Sequence, residues 1–125
     1  MENMICIRLE ADVKQIMKCR EVVQEFGGSF DSLANILSLT GNSVRLKILF
    51  LLNQEQQLCV CDLSDILHMN VSAISQHLRK LKDRHLIYSR KEAQTIFYSI
   101  NKDKLSLLNP FFELLKNDNE LIESK

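Results

Sequence analysis

The sequence predicts a mainly α-helical domain that carries a β-hairpin toward its C-terminal end. Residues 60–84 contain a short helix, a tight turn and a second helix with one apolar and one basic face. Two strand-like segments rich in Ile, Tyr, Phe and Thr follow, Leu86–Lys91 and Thr95–Ile100. This order of elements is typical of a winged helix-turn-helix, in which the second helix reads DNA and the hairpin forms the wing.

The length of the chain predicts one domain. Its 125 residues are 46% apolar, and only three glycines and one proline are present, so no long flexible linker is expected. We interpret residues 1–125 as a single winged helix-turn-helix domain. An N-terminal arm and helix over about 1–26 and a C-terminal helix over about 103–117 would be extensions that make the protein a homodimer.

The N-terminal residues predict a cytoplasmic protein without a membrane segment. Acidic residues occur early, and no apolar stretch resembles a secretory signal or is long enough to cross a bilayer. Cysteines stay reduced in the cytoplasm, so the four cysteines indicate metal ligands or redox groups rather than structural disulfides.

Three helices are predicted before the helix-turn-helix. Apolar spacing predicts the first over Leu9–Phe26, ended by the glycines at 27 and 28 in a left-handed conformation. The second is expected over Phe30–Leu39. Asn42 is placed to cap the third, Ser43–Leu52, which is apolar nearly all round and should be central in the core.

The first helix of the DNA-reading unit, Val60–Leu67, has an unusual start. Cys59 occupies the N-cap position, where a hydroxyl side chain is usual, and Asp62 stands three residues later. Because such a departure from local preference tends to mark function, Cys59 is a candidate functional residue. His68 is expected to adopt a left-handed backbone in the turn that follows.

The second helix, Val71 to about Arg84 with Asn70 as its cap, is the predicted recognition helix. One face, expected to pack on the core, consists of Val71, Ile74, Leu78 and Leu81. The opposite face, expected to contact DNA, consists of Ser72, Ser75, Gln76, Arg79 and Lys80. Gln76 suits an adenine and Arg79 a guanine in the major groove. His77 lies toward the apolar side, and we interpret it as a packing or phosphate-contacting residue.

Positive charge is concentrated on this segment although the whole chain has no formal net charge. Residues 71–91 contain six basic residues against one acid, Asp83, a local net charge of +5. Such a local excess is what contact with phosphates requires. Arg90, Lys91 and Gln94 are expected near the tip of the wing, where they would contact the DNA backbone. The partner is therefore double-stranded DNA, and no catalytic constellation indicates an enzyme.

A C-terminal helix is predicted over Asp103–Leu115. Four apolar residues recur in it at heptad-like spacing, a pattern typical of a helix seam, and with the first helix they would form the dimer interface. These residues are Leu105, Leu108, Phe112 and Leu115. Pro110 predicts a kink or a restart of the helix, with Asn109 as cap and Pro110 in the first turn.

The thiols of Cys59 and Cys61 lie at the start of a helix, whose dipole favours negatively charged ligand groups. Soft thiolates select Cd(II), Pb(II), Hg(II), Zn(II) or As(III) over hard cations. Two sulfurs seldom complete such a site, so further ligands are expected. Cys19 is a possible fourth ligand or a packing residue. We expect no organic cofactor.

In four stretches the chain resembles the ArsR/SmtB family of metal-responsive transcriptional repressors. They are VRLKILFLL, LCVCDLSDIL, NVSAISQHLRKL and SRKEAQTIFYSI, between about Ile36 and Ile100. The resemblance implies a winged helix-turn-helix homodimer that binds operator DNA and is released by an inducer, which derepresses metal-resistance genes.

Departures from the family pattern narrow the expected inducer. The arsenic-sensing branch has a third cysteine where this chain has Ser64, and the zinc-type C-terminal site lacks its histidines here. The remaining resemblance is to the cadmium- and lead-sensing branch, in which N-terminal cysteines join the Cys-Val-Cys pair of the partner subunit. Cys6 stands where such an arm cysteine would be, so the resemblance implies that Cys6 is the third ligand.

Other functions fit the residues less well. An arsenite- or antimonite-responsive repressor and a thiol-redox or persulfide sensor on the same fold remain alternatives. A thiol oxidoreductase would need a Cys-x-x-Cys pair beside a βαβ pattern, which the sequence does not contain. A protein-binding adaptor would not need the local charge of +5.

Overall fold

The computed structural model describes residues 5–117, and the chain divides into two compact units, Met1–Asn35 and Ile36–Lys125. The elements in chain order are α1 Val13–Glu25, α2 Gly27–Thr40, α3 Ser43–Gln54, β1 Leu58–Cys59, α4 Val60–Leu67, α5 Val71–Asp83, β2 Ile87–Glu92, β3 Thr95–Ile100, a 3₁₀ turn Lys102–Lys104 and α6 Leu105–Lys116. Among residues 5–117, no helix combines the length and the apolar character needed to span a membrane.

Helix α1 is shorter at its N-terminal end than the prediction from Leu9. It begins at Val13 because the carboxylate of Asp12 accepts a hydrogen bond from the backbone N–H of Gln15 at 3.1 Å. None of its residues is buried. Its apolar residues Val13, Met17, Val22 and Val23 are exposed.

The prediction that glycines end the first helix in a left-handed conformation is wrong. The break lies at Phe26, whose backbone N–H bonds back to Val22 and Gln24, and Gly27 already begins α2 rather than Phe30. Neither glycine has a positive φ, and a side chain at Gly27 or Gly28 would meet no atom within 4 Å. The conformational freedom of glycine is therefore not what separates the two helices.

Helix α3 forms the centre of the second unit, as predicted. The side-chain oxygen of Asn42 accepts from the backbone N–H of Arg45 at 3.0 Å, and the helix continues to Gln54. Its three fully buried residues join a core to which α4, α5, α6 and the sheet contribute. The core residues are Ile48, Leu49, Leu52, Leu63, Ile74, Leu78, Leu81, Leu86, Ile87, Ile100, Leu108 and Phe112.

The sheet has three antiparallel strands in the order β1-β3-β2. The short strand β1 was not predicted, because two residues carry no periodicity. The hairpin turns at Ala93 and Gln94, with Ala93 in the left-handed region at φ 57°. Arg90 and Lys91 were expected at the tip, but they pair with Phe97 and Ile96 within the strands. Strand β2 has the predicted length but begins and ends one residue later, so Glu92 rather than Lys91 is its last residue before the turn.

Helix α6 runs through Pro110, so the predicted restart with Asn109 as cap is wrong. The ring of Pro110 removes one helical hydrogen bond to the carbonyl of Ser106, which is exposed and can be hydrated. The predicted seam is also only partly free. Leu108 and Phe112 are buried in the core of their own unit, where Phe112 meets Phe50 edge to face at 5.7 Å.

Candidate DNA interface and thiol site

The turn between α4 and α5 is built by backbone and side-chain hydrogen bonds. His68 adopts the predicted left-handed conformation, with φ 55° and ψ 46°. The carbonyl of Ser64 accepts from the backbone N–H groups of His68 and Met69, and the Ser64 hydroxyl donates to the Met69 carbonyl. The amide oxygen of Asn70 then caps α5 by accepting from the Ala73 N–H at 2.7 Å. These bonds fix the direction in which α5 leaves the turn.

Helix α5 presents the predicted polar face to solvent. Its inner residues Ile74, Leu78 and Leu81 are fully buried. The exposed residues of the opposite face are Ser72, Ser75, Gln76, Arg79 and Lys80. Val71 was expected in the core but is 47% exposed, because the first turn of α5 extends beyond the packed region.

His77 links the recognition helix to α3. Its Nδ1 lies 3.3 Å from Nη1 of Arg45, and Nε of Arg45 donates to the carbonyl of Leu39 at 2.7 Å. Because a guanidinium can only donate, Nδ1 accepts and the neutral ring carries its proton on Nε2. Burial lowers the pKa of His77, and the nearby positive charges of Arg45 and Lys80 lower it further.

The positive charges of α5 are not neutralised within the described chain. Across residues 5–117 the ion pairs are Arg90 with Glu92 and Lys116 with Glu113. Arg79 and Lys80 of α5 and Lys91 of the wing are exposed, and none of the three takes part in either ion pair. These side chains are therefore available to an external polyanion.

Arg90 differs from the other basic residues because the protein holds its guanidinium. It bonds to the Glu92 carboxylate and to the Gln57 side-chain oxygen, the latter at 2.8 Å. It also lies over the ring of Phe97, 5.6 Å from the centroid. Gln94 is exposed at the turn of the hairpin.

The two thiols of the second unit lie where β1 passes into α4. Cys59 is the N-cap of α4, and its backbone N–H donates to the Asp62 carboxylate at 3.1 Å. Cys59 is half-buried and Cys61 is exposed. Cys6 and Cys19 belong to the first unit, and both are exposed. All four cysteines are free.

No complete metal site is formed by the described part of a single chain. Among residues 5–117, no three His, Cys, Asp or Glu side chains are grouped so that they could hold a metal ion. The donor chemistry of Cys59 and Cys61 nevertheless suits a thiophilic ion. A closed zinc-like site would need two further ligands.

Three residues with a role in this region were missed by the sequence reasoning. The sequence predicts Arg45 only as part of a core helix, Phe97 only as part of a strand and Gln57 only as part of a polar loop. Arg45 lies 32 positions from its partner His77, and Gln57 and Phe97 lie 33 and 7 positions from their partner Arg90. The predicted hairpin brings Phe97 near Arg90, but no sequence pattern could have identified the two contacts at separations above thirty residues.

Comparisons with known proteins agree with this geometry. The model of the bacterial regulatory protein, arsR family, matches residues 42–89, which contain α3, α4 and α5. The nodulation protein NolR of Rhizobium meliloti is 37% identical over 93 residues, covering 74% of this chain and 75% of NolR. A cadmium resistance transcriptional regulatory protein CadC homolog of Staphylococcus aureus is 32% identical over 76 residues, 61% of this chain. The match spans 63% of that regulator's length, slightly less than two thirds.

A solved structure supports the same conclusion. Reduced HlyU from Vibrio cholerae superposes with a TM-score of 0.62 at 36% sequence identity, and the match covers 70% of this chain and 96% of HlyU. The fold has an α4–turn–α5 unit with an exposed basic face and a β-hairpin wing, and these similarities match it. The chain therefore belongs to the ArsR family of DNA-binding winged-helix transcriptional regulators, which are not enzymes.

Proposed function

We propose that this regulator is a homodimeric cytoplasmic repressor that a thiophilic metal ion releases from its operator. The observation that carries the proposal is the position of Cys59 and Cys61 in the first turn of α4. Helix α4 is joined to the recognition helix by a hydrogen-bonded turn. A ligand bound at these thiols therefore acts directly on the element that positions α5.

Cys59 and Cys61 supply two thiolates, and the third comes from Cys6. Cys19 is the candidate for a fourth, and the arm that carries Cys6 can belong to the partner subunit. Cadmium, lead, mercury and zinc ions suit such a set of sulfur ligands. The similarity to the cadmium resistance regulator supports this class of inducer.

The proposed operator contact uses α5 in the major groove and the hairpin on the neighbouring backbone. Gln76 and Arg79 read base edges, while Ser72, Ser75 and Lys80 bind phosphates or bases. Arg90, Lys91 and Gln94 contact the sugar-phosphate backbone from the wing. In a twofold dimer the two α5 helices would enter major grooves about 34 Å apart.

In the proposed dimer, α1 and the outer side of α6 form the interface between the two copies. Helix α1 buries none of its own apolar residues, and Leu114 and Leu115 of α6 are each more than a third exposed. Burial of these side chains against a second copy would remove apolar surface from water, which favours association.

A thiol-redox sensor is the second candidate function. It is favoured by the free thiol of Cys61, which is exposed, and by the similarity to a HlyU structure described as reduced. An arsenite sensor is less well supported, because the position of a third helical thiol is occupied by Ser64. The hydroxyl of that serine is used in the turn.

Anaerobic titration of the reduced protein with Cd(II) tests the proposal. Binding is followed by thiolate-to-metal charge transfer in the ultraviolet, and operator release by fluorescence anisotropy of labelled DNA in the same samples. We expect release at the stoichiometry of metal binding. Cys59→Ser and Cys61→Ser should lose the response, and Cys6→Ser should weaken the absorption band.

Two controls separate the alternatives. Diamide without metal should leave the operator complex intact if metal is the signal, and release it if thiol oxidation is. Cys19→Ser measures whether a fourth sulfur contributes. Cadmium binding that leaves operator affinity unchanged at saturation would refute the proposed function.

A further inference from the structure

Cys59 belongs to the sheet that carries the wing as well as to α4. In the antiparallel register, Cys59 of β1 is opposite Phe97 of β3, and Phe97 is opposite Arg90 of β2. Residues directly opposite one another in a sheet point to the same face. Cys59, Phe97 and Arg90 therefore form a row across the sheet, about 10 Å from end to end, since neighbouring strands are about 5 Å apart.

Gln57 connects the two ends of this row. It lies two residues before Cys59, and its side-chain oxygen accepts from Nη2 of Arg90 at 2.8 Å. The same guanidinium lies over the Phe97 ring and bonds to Glu92. Arg90 is thus contacted by Gln57, which precedes β1, by Phe97 of β3 and by Glu92 of β2.

These contacts leave some hydrogen-bond donors of the Arg90 guanidinium free. It has five N–H donors, and two of its nitrogens are used by Gln57 and Glu92. The Arg90 side chain remains 53% exposed. An arginine held in one orientation with free donors can bind a phosphate at a smaller loss of side-chain entropy than a free one.

We propose that Gln57 is a positioning residue for Arg90 and that it makes the wing's contact with DNA depend on the strand that carries Cys59. The proposal rests on the proposed function in assigning Arg90 to the DNA backbone and Cys59 to the inducer. A shift of β1 displaces Gln57 and Phe97 together, because one precedes β1 and the other pairs with it. The orientation of Arg90 changes with them.

A double-mutant cycle in metal-free protein tests the positioning role. Operator affinity is measured against salt concentration for the wild type, Gln57→Ala, Arg90→Ala and the double variant. Gln57→Ala should weaken binding by about 3- to 10-fold, the loss expected for one hydrogen bond. The salt slope should stay unchanged, because the charge of Arg90 remains. Arg90→Ala should lower the slope by about 0.9.

The decisive result of the cycle is non-additivity. In the Arg90→Ala background, Gln57→Ala should have no further effect on operator affinity. The matched control is Gln56→Ala, since this neighbouring glutamine is exposed and forms no side-chain hydrogen bond within residues 5–117; its affinity should equal that of the wild type. Equal affinity of Gln57→Ala and wild type, or full additivity with Arg90→Ala, would overturn the proposal.

Nuclear magnetic resonance supplies a readout that does not depend on operator release. In the wild type, the chemical shift of the Arg90 Nε–Hε group should differ from that of a mobile, exposed arginine, and it should change when Cd(II) is added. In Gln57→Ala, the chemical shift should be that of a mobile arginine and should not respond to Cd(II). A cadmium-induced shift that persists in Gln57→Ala would overturn the connection through Gln57. If cadmium leaves the wild-type operator complex intact, the proposed function fails, whereas the metal-free cycle still decides the role of Gln57.

Discussion

At the residue scale, His77 is the clearest case of a group tuned by its surroundings. It lies on the recognition helix, yet its Nδ1 faces Arg45 on α3. Burial and two neighbouring cations lower its pKa below the ordinary value of 6.5, so the ring is neutral at neutral pH. Protonation would turn the accepting nitrogen into a donor facing a donor.

This arrangement predicts a loss of stability in acid. Below pH 6.5 the unfolded chain binds a proton at His77 before the folded chain does, and the penalty is complete below the folded-state pKa. We expect urea denaturation to show a larger fall in stability between pH 7.5 and 5.5 for the wild type than for His77→Gln. Near pH 8 the contribution from titration should disappear. Parallel pH profiles for the two proteins would contradict this prediction.

Arg79 and Lys80 are neighbours with different expected roles. Arg79→Ala should cost about 1–3 kcal/mol of binding to the specific operator and relax the preference at one base pair, because a bidentate base contact is lost. Lys80→Ala should weaken binding to all sequences alike and lower the salt slope by about 1. Competition assays with single-base operator variants at several salt concentrations distinguish these outcomes. The same selectivity in both variants would contradict the assignment.

At the element scale, α4 combines a structural and a chemical role at one position. Its N-cap residue, Cys59, is a poorer hydrogen-bond acceptor than the hydroxyl of serine or threonine. The carboxylate of Asp62 satisfies the backbone N–H of Cys59, which is half of a capping box. A cysteine is a poor choice for this N-cap position, so its presence is explained if the thiol itself has a function.

Cys59→Ser should therefore separate stability from function. We expect the free energy of unfolding in urea to rise by up to about 1 kcal/mol, because serine is a favoured cap. In the same protein the cadmium charge-transfer band should be reduced and the release of operator DNA by cadmium should be lost. Cys61→Ser, one residue beyond the first helical position, should share the functional loss without the gain in stability. A metal response retained in Cys59→Ser would exclude this thiol as a ligand.

At the scale of the whole molecule, α1 bears on self-association because it carries exposed apolar residues and buries none of its own. Ile16, Cys19 and Val23 recur at helical spacing on one side of α1, and Val23 is 57% exposed. The core of the second unit, by contrast, takes up the centre of α6. Of the two predicted dimer extensions, α1 thus has more apolar surface to offer a second copy.

A charge on this side of α1 should weaken self-association without unfolding the chain. We expect Val23→Lys to raise the monomer fraction in sedimentation equilibrium and to lower operator affinity, while the circular dichroism spectrum stays unchanged. Glu21→Lys serves as control, because it introduces lysine on the opposite side of the same helix. Equal monomer fractions for the two variants would argue against α1 as the dimer interface.

Local chemistry explains which parts of this fold could be predicted. The caps by Asn42 and Asn70, the left-handed His68 and the bounds of α4 each depend on residues within one turn of chain, and all are confirmed. The errors at Gly27 and Pro110 have the opposite origin. A helix end at the glycines, and a restart as one of two alternatives at Pro110, were predicted from residue type alone, whereas α2 begins at Gly27 and α6 continues through Pro110.

The sequence by itself determined the class of protein, because the amphipathic recognition helix, the hairpin and the basic segment are each formed by one continuous stretch of residues. The tertiary structure decided how the thiols relate to the DNA-reading surface. Pairing of Cys59 with Phe97, and the contacts of Arg90 with Gln57 and His77 with Arg45, join residues far apart in the chain. Such contacts arise from sheet register and helix packing, which depend on the simultaneous burial of many side chains and leave no local pattern.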